Sequence, residues 1–260
     1  MVFILLAGLY FNEWIFAGLF FVISLLGILE FYQNVSSENC YPQKIFGMVA
    51  GMILYISIVA VHYLPFSPFF VSIPLFFIPF IIEIYRKKPQ PLTNIAFTIL
   101  PIFYIALPLA LLNLLNDKTA FHFLGFPIFL TGYFILTWAY DTGAYLYGKP
   151  FGKHKLFERI SPKKTWEGTI AGSAIALMIA TGLFFLVKEI NLVDWIALTI
   201  LVLVFGTFGD LVESLIKRNL YIKDSGSILP GHGGILDRFD SILISAPFVF
   251  LYFIIRFPYS

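Results

Sequence analysis

Apolar residues run through this chain in long blocks that are hydrophobic on every side, separated by short polar breaks. The blocks fall at about 1–11, 14–32, 45–64, 69–85, 92–115, 122–147, 168–188, 193–216 and 241–257. A helix crosses a hydrocarbon core of about 30 Å with about 17–25 residues. Each of the last eight blocks is therefore long enough to span. The first, as a helix of about 16 Å, is too short; either it is half-inserted or a few residues precede it in the full protein. The blocks do not alternate apolar with polar, which disfavours strands. The pattern predicts an all-α polytopic membrane helix bundle of about nine transmembrane helices in one integral membrane domain, residues 1–260. Pro74, Pro79, Pro101 and Pro108 lie inside blocks and predict kinked or irregular helices, which membrane bundles tolerate.

Composition strengthens this reading. Of 260 residues, 59% are hydrophobic and only 12% charged, with a mean hydropathy of +0.88. Soluble domains average about 25% charged, so this chain lacks the polar surface to face water. No Lys or Arg precedes the first block, so it does not read as a cleavable signal peptide. Cys40 is the one cysteine, which excludes an internal disulfide and a cysteine metal cluster. Basic residues decide orientation. Fourteen fall in one alternate set of loops, around 44, 86–88, 149–164 and 217–238, and three (Lys118, Lys188, Arg256) in the other. The first set should be cytoplasmic, with the N-terminus inside. No repeat marks the two halves of a transporter.

The densest chemistry runs from Gly209 to Ser241. Asp210, Ser214 and Lys217 are spaced i, i+4, i+7 on one helical face, and Glu213 can pair with Lys217. Arg218, Lys223 and Asp224 lead into the glycine-rich loop Gly231-His232-Gly233-Gly234, whose backbone N–H groups stand open to an anion. Asp237 and Asp240 are i, i+3 neighbours where the last apolar block begins, with Arg238 between them. These two carboxylates with Asp210 can hold one or two divalent cations, and oxygen ligands suit Mg²⁺. Capping of the last helix is the competing role for Asp237 and Asp240. Asp210 follows a long apolar run, and an acid there is costly and usually functional. His232 could donate to a phosphate or simply be solvated.

The second stretch, Asp141 to Gly168, starts with another acid inside an apolar run. Asp141 could equally be a structural hydrogen-bonding acid between helices. The basic loop after it fits phosphate, but also plain topology or anionic lipid. Ser161, Lys163, Lys164 and Thr165 lead into a helix near Trp166, where hydroxyls and a helix N-terminus fit phosphate.

At these residues the chain resembles the phosphatidate cytidylyltransferases, also called CDP-diacylglycerol synthases. Ser214-x-x-Lys217-Arg218, Lys223-Asp224, Pro230-Gly231-His232-Gly233-Gly234 and Asp237-Arg238-x-Asp240 match that family's signature. Ser161-Pro162-Lys163-Lys164-Thr165-x-Glu167-Gly168 looks like its second recurring stretch. The likeness covers the C-terminal half by motif and the first 120 residues by hydropathy alone. It implies N-terminal helices over about 1–120, a catalytic half over about 121–260, a bacterial inner-membrane location and a homodimer. It also implies Mg²⁺, with a second cation possible, CTP and phosphatidic acid as substrates, and no nucleic-acid partner. By carry-over, Asp210, Asp237 and Asp240 hold metal, with Lys217 and Arg218 in the catalytic set. Ser214, Lys217, Arg218, Lys223 and Asp224 line the nucleotide or lipid phosphate site, and Asp141, Ser161, Lys163, Lys164, Thr165, His232, Gly233, Gly234 and Arg238 join them as candidate substrate-binding residues. Rival readings are a CDP-alcohol phosphatidyltransferase, whose denser Asp-Gly-x-x-Ala-Arg arrangement is absent, a CTP-dependent polyprenol kinase, and a transporter or channel.

Overall fold

The structure is a computed structural model; it describes residues 8–9, 13–62, 69–116, 122–123, 126–226 and 233–257. Helix dominates. Among the described residues five helices are long and apolar enough to cross a membrane: Glu13–Val35, Pro91–Leu114, Trp166–Leu186, Leu192–Asn219 and Leu236–Arg256. The expectation of about nine spans is not matched by that number, and the 69–85 block shows one reason. It does not form a continuous helix. Phe69–Ser72 ends at a 3₁₀ turn, Pro74–Phe76, before a nine-residue helix, Ile78–Arg86. Pro74 and Pro79 each lack the N–H a through-going helix would use, and their rings clash with the preceding turn.

The chain forms two compact units. One comprises Phe11–Leu114 and Leu220–Phe239; the other comprises Met1–Tyr10, Leu115–Asn219 and Asp240–Ser260. The first holds helices α1 (Glu13–Val35), α2 (Lys44–Val59), α3 (Ile78–Arg86) and α4 (Pro91–Leu114). Many of its buried polar groups are paired internally, as burial favours. Tyr32 Oη donates to the Thr98 carbonyl at 2.7 Å, and Gly47 of α2 leaves room for that ring, because a Cβ there would strike Tyr32 Oη. Glu83, buried, accepts from Asn94 at 2.7 Å, Gln43 at 2.9 Å and Arg86 at 2.8 Å. Helix α4 relaxes into a π segment, Ile102–Ala106, directly after Pro101. Cys40 lies buried in the α1–α2 connection, and burial pushes its thiol pKa up, which keeps it unreactive.

The second unit holds α5 (Ile128–Phe151), α6 (Trp166–Leu186), α7 (Leu192–Asn219) and most of α8 (Leu236–Arg256). Helix α5 has 24 residues but is less apolar, carrying Asp141 and four tyrosines. Glycines bring α5 and α6 into backbone contact. A Cβ on Gly172 would lie 2.7 Å from the Tyr140 carbonyl, and one on Gly168 would lie 2.7 Å from that of Ala144. Small residues four apart do this wherever helices pack without a hydrophobic drive. Trp195 of α7, fully buried, fills the notch at Gly132 of α5. Tyr133 to Ser245 and Tyr140 to Thr207, both at 2.6 Å, tie α5 to α8 and α7. Strands were not expected, yet the basic loop after α5 folds as a hairpin, Lys155–Phe157 against Ser161–Thr165.

Candidate active site

Three segments of the second unit converge on Lys164. Its ammonium pairs with Asp210 Oδ2 of α7. The carboxylates of Asp141 on α5 and Asp240 on α8 lie within electrostatic reach of the same ammonium. Alternation along the hairpin strand explains why Lys164 rather than Lys163 reaches the acids. Neighbouring strand residues face opposite sides, and Lys163 is exposed where Lys164 is half-buried. Burial pushes the Lys164 pKa down to about 8, against the pull of Asp240 and Asp141.

The acids are held as firmly as the lysine. Gly209 brings α7 against α8, since a Cβ there would strike the Asp240 carbonyl. That approach lets Ser241 Oγ donate to Asp210 Oδ1 at 2.7 Å, while the Ser241 N–H meets Asp240 Oδ1 at 2.8 Å. Asp210 lies well inside α7, nine residues before Asn219. It comes just after a π segment, Val202–Gly206; such segments often mark functional sites. Further along α7, Glu213 and Lys217 form the expected i, i+4 pair at 2.5 Å. Ser214 is half-buried and Arg218 exposed on the same helix.

Thr165 has a structural task. It caps α6, its Oγ1 accepting from the Gly168 N–H at 3.2 Å, and it is buried. Ser161 pairs with Phe157 in the hairpin. Glu167 braces the other end of the loop, accepting from the Lys153 and His154 N–H groups.

The remaining signature residues belong to the first unit. Lys223, Asp224 and Arg238 are exposed. Asp237 Oδ2 accepts from the Ser225 N–H at 2.8 Å and the Gly234 N–H at 3.3 Å, so it does organise the turn before α8. Gly233 has φ +82°, a left-handed conformation glycine adopts without strain. His232 lies outside the described residues. Two residues central to this geometry were not singled out from sequence, Ser241 and Glu30. Glu30 is a buried acid in α1 that accepts from Ser225 Oγ and the N–H groups of Ile235 and Leu236. The signal existed: an acid near the end of an apolar run.

Among the described residues no group of three or more His, Cys, Asp or Glu side chains is placed to hold a metal ion. Asp210 and Asp240 belong to one unit and Asp237 to the other. Asp210 and Asp240 remain a suitable pair of hard oxygen donors, and Mg²⁺ commonly uses only one or two carboxylates, completed by water and substrate phosphates.

A sequence model described as the cytidylyltransferase family matches residues 1–256. The chain belongs to this family. Its relatives include a protein of Staphylococcus aureus (strain COL) named phosphatidate cytidylyltransferase, 52% identical over 116 residues, 44% of each chain. A Bacillus subtilis (strain 168) protein of the same name is 51% identical over 123 residues, covering 46% of this chain and 45% of the relative. A Staphylococcus haemolyticus protein, also so named, is 52% identical over 116 residues and 44% of each chain. The matched part thus spans less than half the length of each of these relatives.

Proposed function

We propose that this cytidylyltransferase-family protein joins CTP to phosphatidic acid, forming CDP-diacylglycerol and pyrophosphate. The observation that carries the reading is the Lys164 ammonium placed among the carboxylates of Asp141, Asp210 and Asp240. The names of its relatives add phosphatidate as the acceptor. The nucleophile is a phosphomonoester oxygen, with a second pKa of about 6, so it is anionic near neutral pH and needs no strong general base. It attacks the α-phosphorus of CTP. A new P–O bond forms, the bond from that phosphorus to the β-phosphate bridging oxygen breaks, and pyrophosphate leaves with the electron pair. The obstacle is charge: two polyanions must meet. Lys164, with Lys217 and Arg218 on α7, offers cations to screen that repulsion and bind phosphate oxygens. Asp210 and Asp240 would hold Mg²⁺, which would supply charge neutralisation at the phosphates. Lys223 and Arg238, exposed on the other unit, would offer cations of their own to phosphate oxygens.

The product decides between this and its rivals. Purified protein with phosphatidic acid, labelled CTP and Mg²⁺ should release pyrophosphate and label the lipid. Release of CDP with a newly phosphorylated polyprenol would instead mean a kinase.

The same reading places the protein as a homodimer in a bacterial inner membrane, with its site at the cytoplasmic face. There CTP arrives from water and the lipid arrives from the bilayer. Loops 86–91, 148–167 and 215–240 hold 13 of the 17 basic residues and should share that face. Single cysteines replacing Lys88, Lys155 and Asn219, in a Cys40→Ser background, should all label from one side. Labelling of any one from the opposite side would break this topology.

A further inference from the structure

We propose that Glu30, on α1, is the positioning residue for the turn that opens α8. The proposal rests on the function proposed above for its consequence in turnover, but not for its geometry. Glu30 is 1% exposed. Its Oε1 accepts from the Leu236 N–H at 3.0 Å and its Oε2 from the Ile235 N–H at 2.9 Å. A carboxylate in an apolar helix is costly unless its lone pairs are met. Here they are met by the free N–H groups at a helix start, where the backbone dipole also favours a negative charge.

The contact extends to the signature loop. Ser225 Oγ lies 2.7 Å from Glu30 Oε1 and 2.8 Å from Asp237 Oδ2, and its one proton serves one carboxylate at a time. Asp237 is thus held through Ser225, whose N–H also donates to it at 2.8 Å. Asn34, one turn further along α1, fastens the same residue from below by donating to the Ser225 carbonyl at 2.6 Å.

The glycines fit this arrangement. A Cβ on Gly226 would lie 2.6 Å from Glu30 Oε2, and one on Gly234 would strike Ser225 Oγ and lie 2.5 Å from Glu30 Oε1. Gly234 is therefore bare because a carboxylate from a distant helix fills the space, which is a reason independent of any phosphate. Residues 225–226 and 234–236, about 200 positions away, close around one side chain of α1, and so fix where Asp237 stands.

Glu30→Gln tests this sharply. It keeps size but replaces one acceptor oxygen with an NH₂, which must then face a backbone N–H. In the full-length protein in detergent, amide exchange in a peptide covering 233–239 should speed up tenfold or more in Glu30→Gln. Exchange in 168–186 should not change. Under the proposed function, kcat should fall tenfold or more while KM for CTP moves less, because placement and not binding charge is lost. Glu30→Asp, which keeps both acceptors on a shorter arm, should recover part of both losses. A side chain that merely stabilises the fold would lower thermal stability and leave kcat per folded molecule at the wild-type value. Unchanged exchange at 233–239, or wild-type kcat in Glu30→Gln, would overturn the proposal. If Glu30→Gln does not fold, Gly234→Ala crowds the same carboxylate from the loop side and should raise exchange in the same peptide; wild-type exchange there would equally overturn it. If the wild-type protein transfers no cytidylyl group, the proposed function fails, and the exchange measurement still decides whether Glu30 holds the turn.

Discussion

Asp210→Asn and Asp240→Asn should each slow the proposed cytidylyl transfer by about 100-fold or more, while the protein remains folded. The amide keeps the shape of the carboxylate and its capacity to accept one hydrogen bond. In Asp210→Asn the 2.7 Å bond from Ser241 Oγ can therefore persist. What disappears is a negative charge opposite Lys164 and an oxygen donor suited to a hard cation. Losing one strong electrostatic partner of a transferring phosphoryl group costs about 3–4 kcal/mol, and Asn binds Mg²⁺ more weakly than Asp because it brings no charge. Turnover measured against Mg²⁺ concentration should show a lower plateau and a demand for more metal in both variants. Asp237→Asn should behave differently, because that carboxylate collects N–H groups from Ser225 and Gly234. An Asn caps about as well as Asp, so its stability should hold, and its loss of activity should be the smallest of the three. Wild-type rates with unchanged Mg²⁺ dependence in Asp210→Asn and Asp240→Asn would remove both acids from the chemistry.

Part of this arrangement is legible in the sequence. Asp141 and Asp210 stand out because an ionisable group inside an apolar run must be compensated. Both reach the same lysine in the folded unit. The Glu213–Lys217 pair follows from helical spacing alone. Other features need three-dimensional information. Nothing in the run Ser161 to Thr165 separates Lys163 from Lys164 until the hairpin assigns their faces. Summed hydropathy marks 69–85 as a span, but it does not register that Pro74 and Pro79 break the hydrogen-bond ladder. The role of Glu30 is hidden in the sequence for a simpler reason. The motif that carries the resemblance is local, whereas the side chain that fills its glycine turn comes from the far end of the chain. Glycines in that turn read naturally as openings for a phosphate; Gly226 and Gly234 are openings for a carboxylate.

Activity should also fall as pH rises through about 8, and the fall should belong to Lys164. Burial holds its folded-state pKa at about 8, below the ordinary lysine value of 10.5. Below pH 8 the ammonium is charged and balances Asp141, Asp210 and Asp240. Above it the ammonium deprotonates, three carboxylates face one another without a counter-charge, and an incoming triphosphate meets net repulsion. Stability should move the other way. The unfolded chain keeps this proton up to about 10.5, so between about 8 and 10.5 it binds more protons than the folded chain. Unfolding free energy from this group therefore rises with pH in that window. Lost activity without lost stability is the signature that separates this titration from alkaline unfolding. Lys164→Arg should carry the alkaline limb up beyond the lysine range, since a guanidinium stays charged there, even if its larger head lowers the maximum rate. Lys164→Met should lose about 100-fold or more at every pH. Rate profiles from pH 6 to 10, taken alongside thermal unfolding at each pH, make the comparison. An alkaline limb that stays in place in Lys164→Arg would assign it to another group and leave Lys164 a structural counter-ion only.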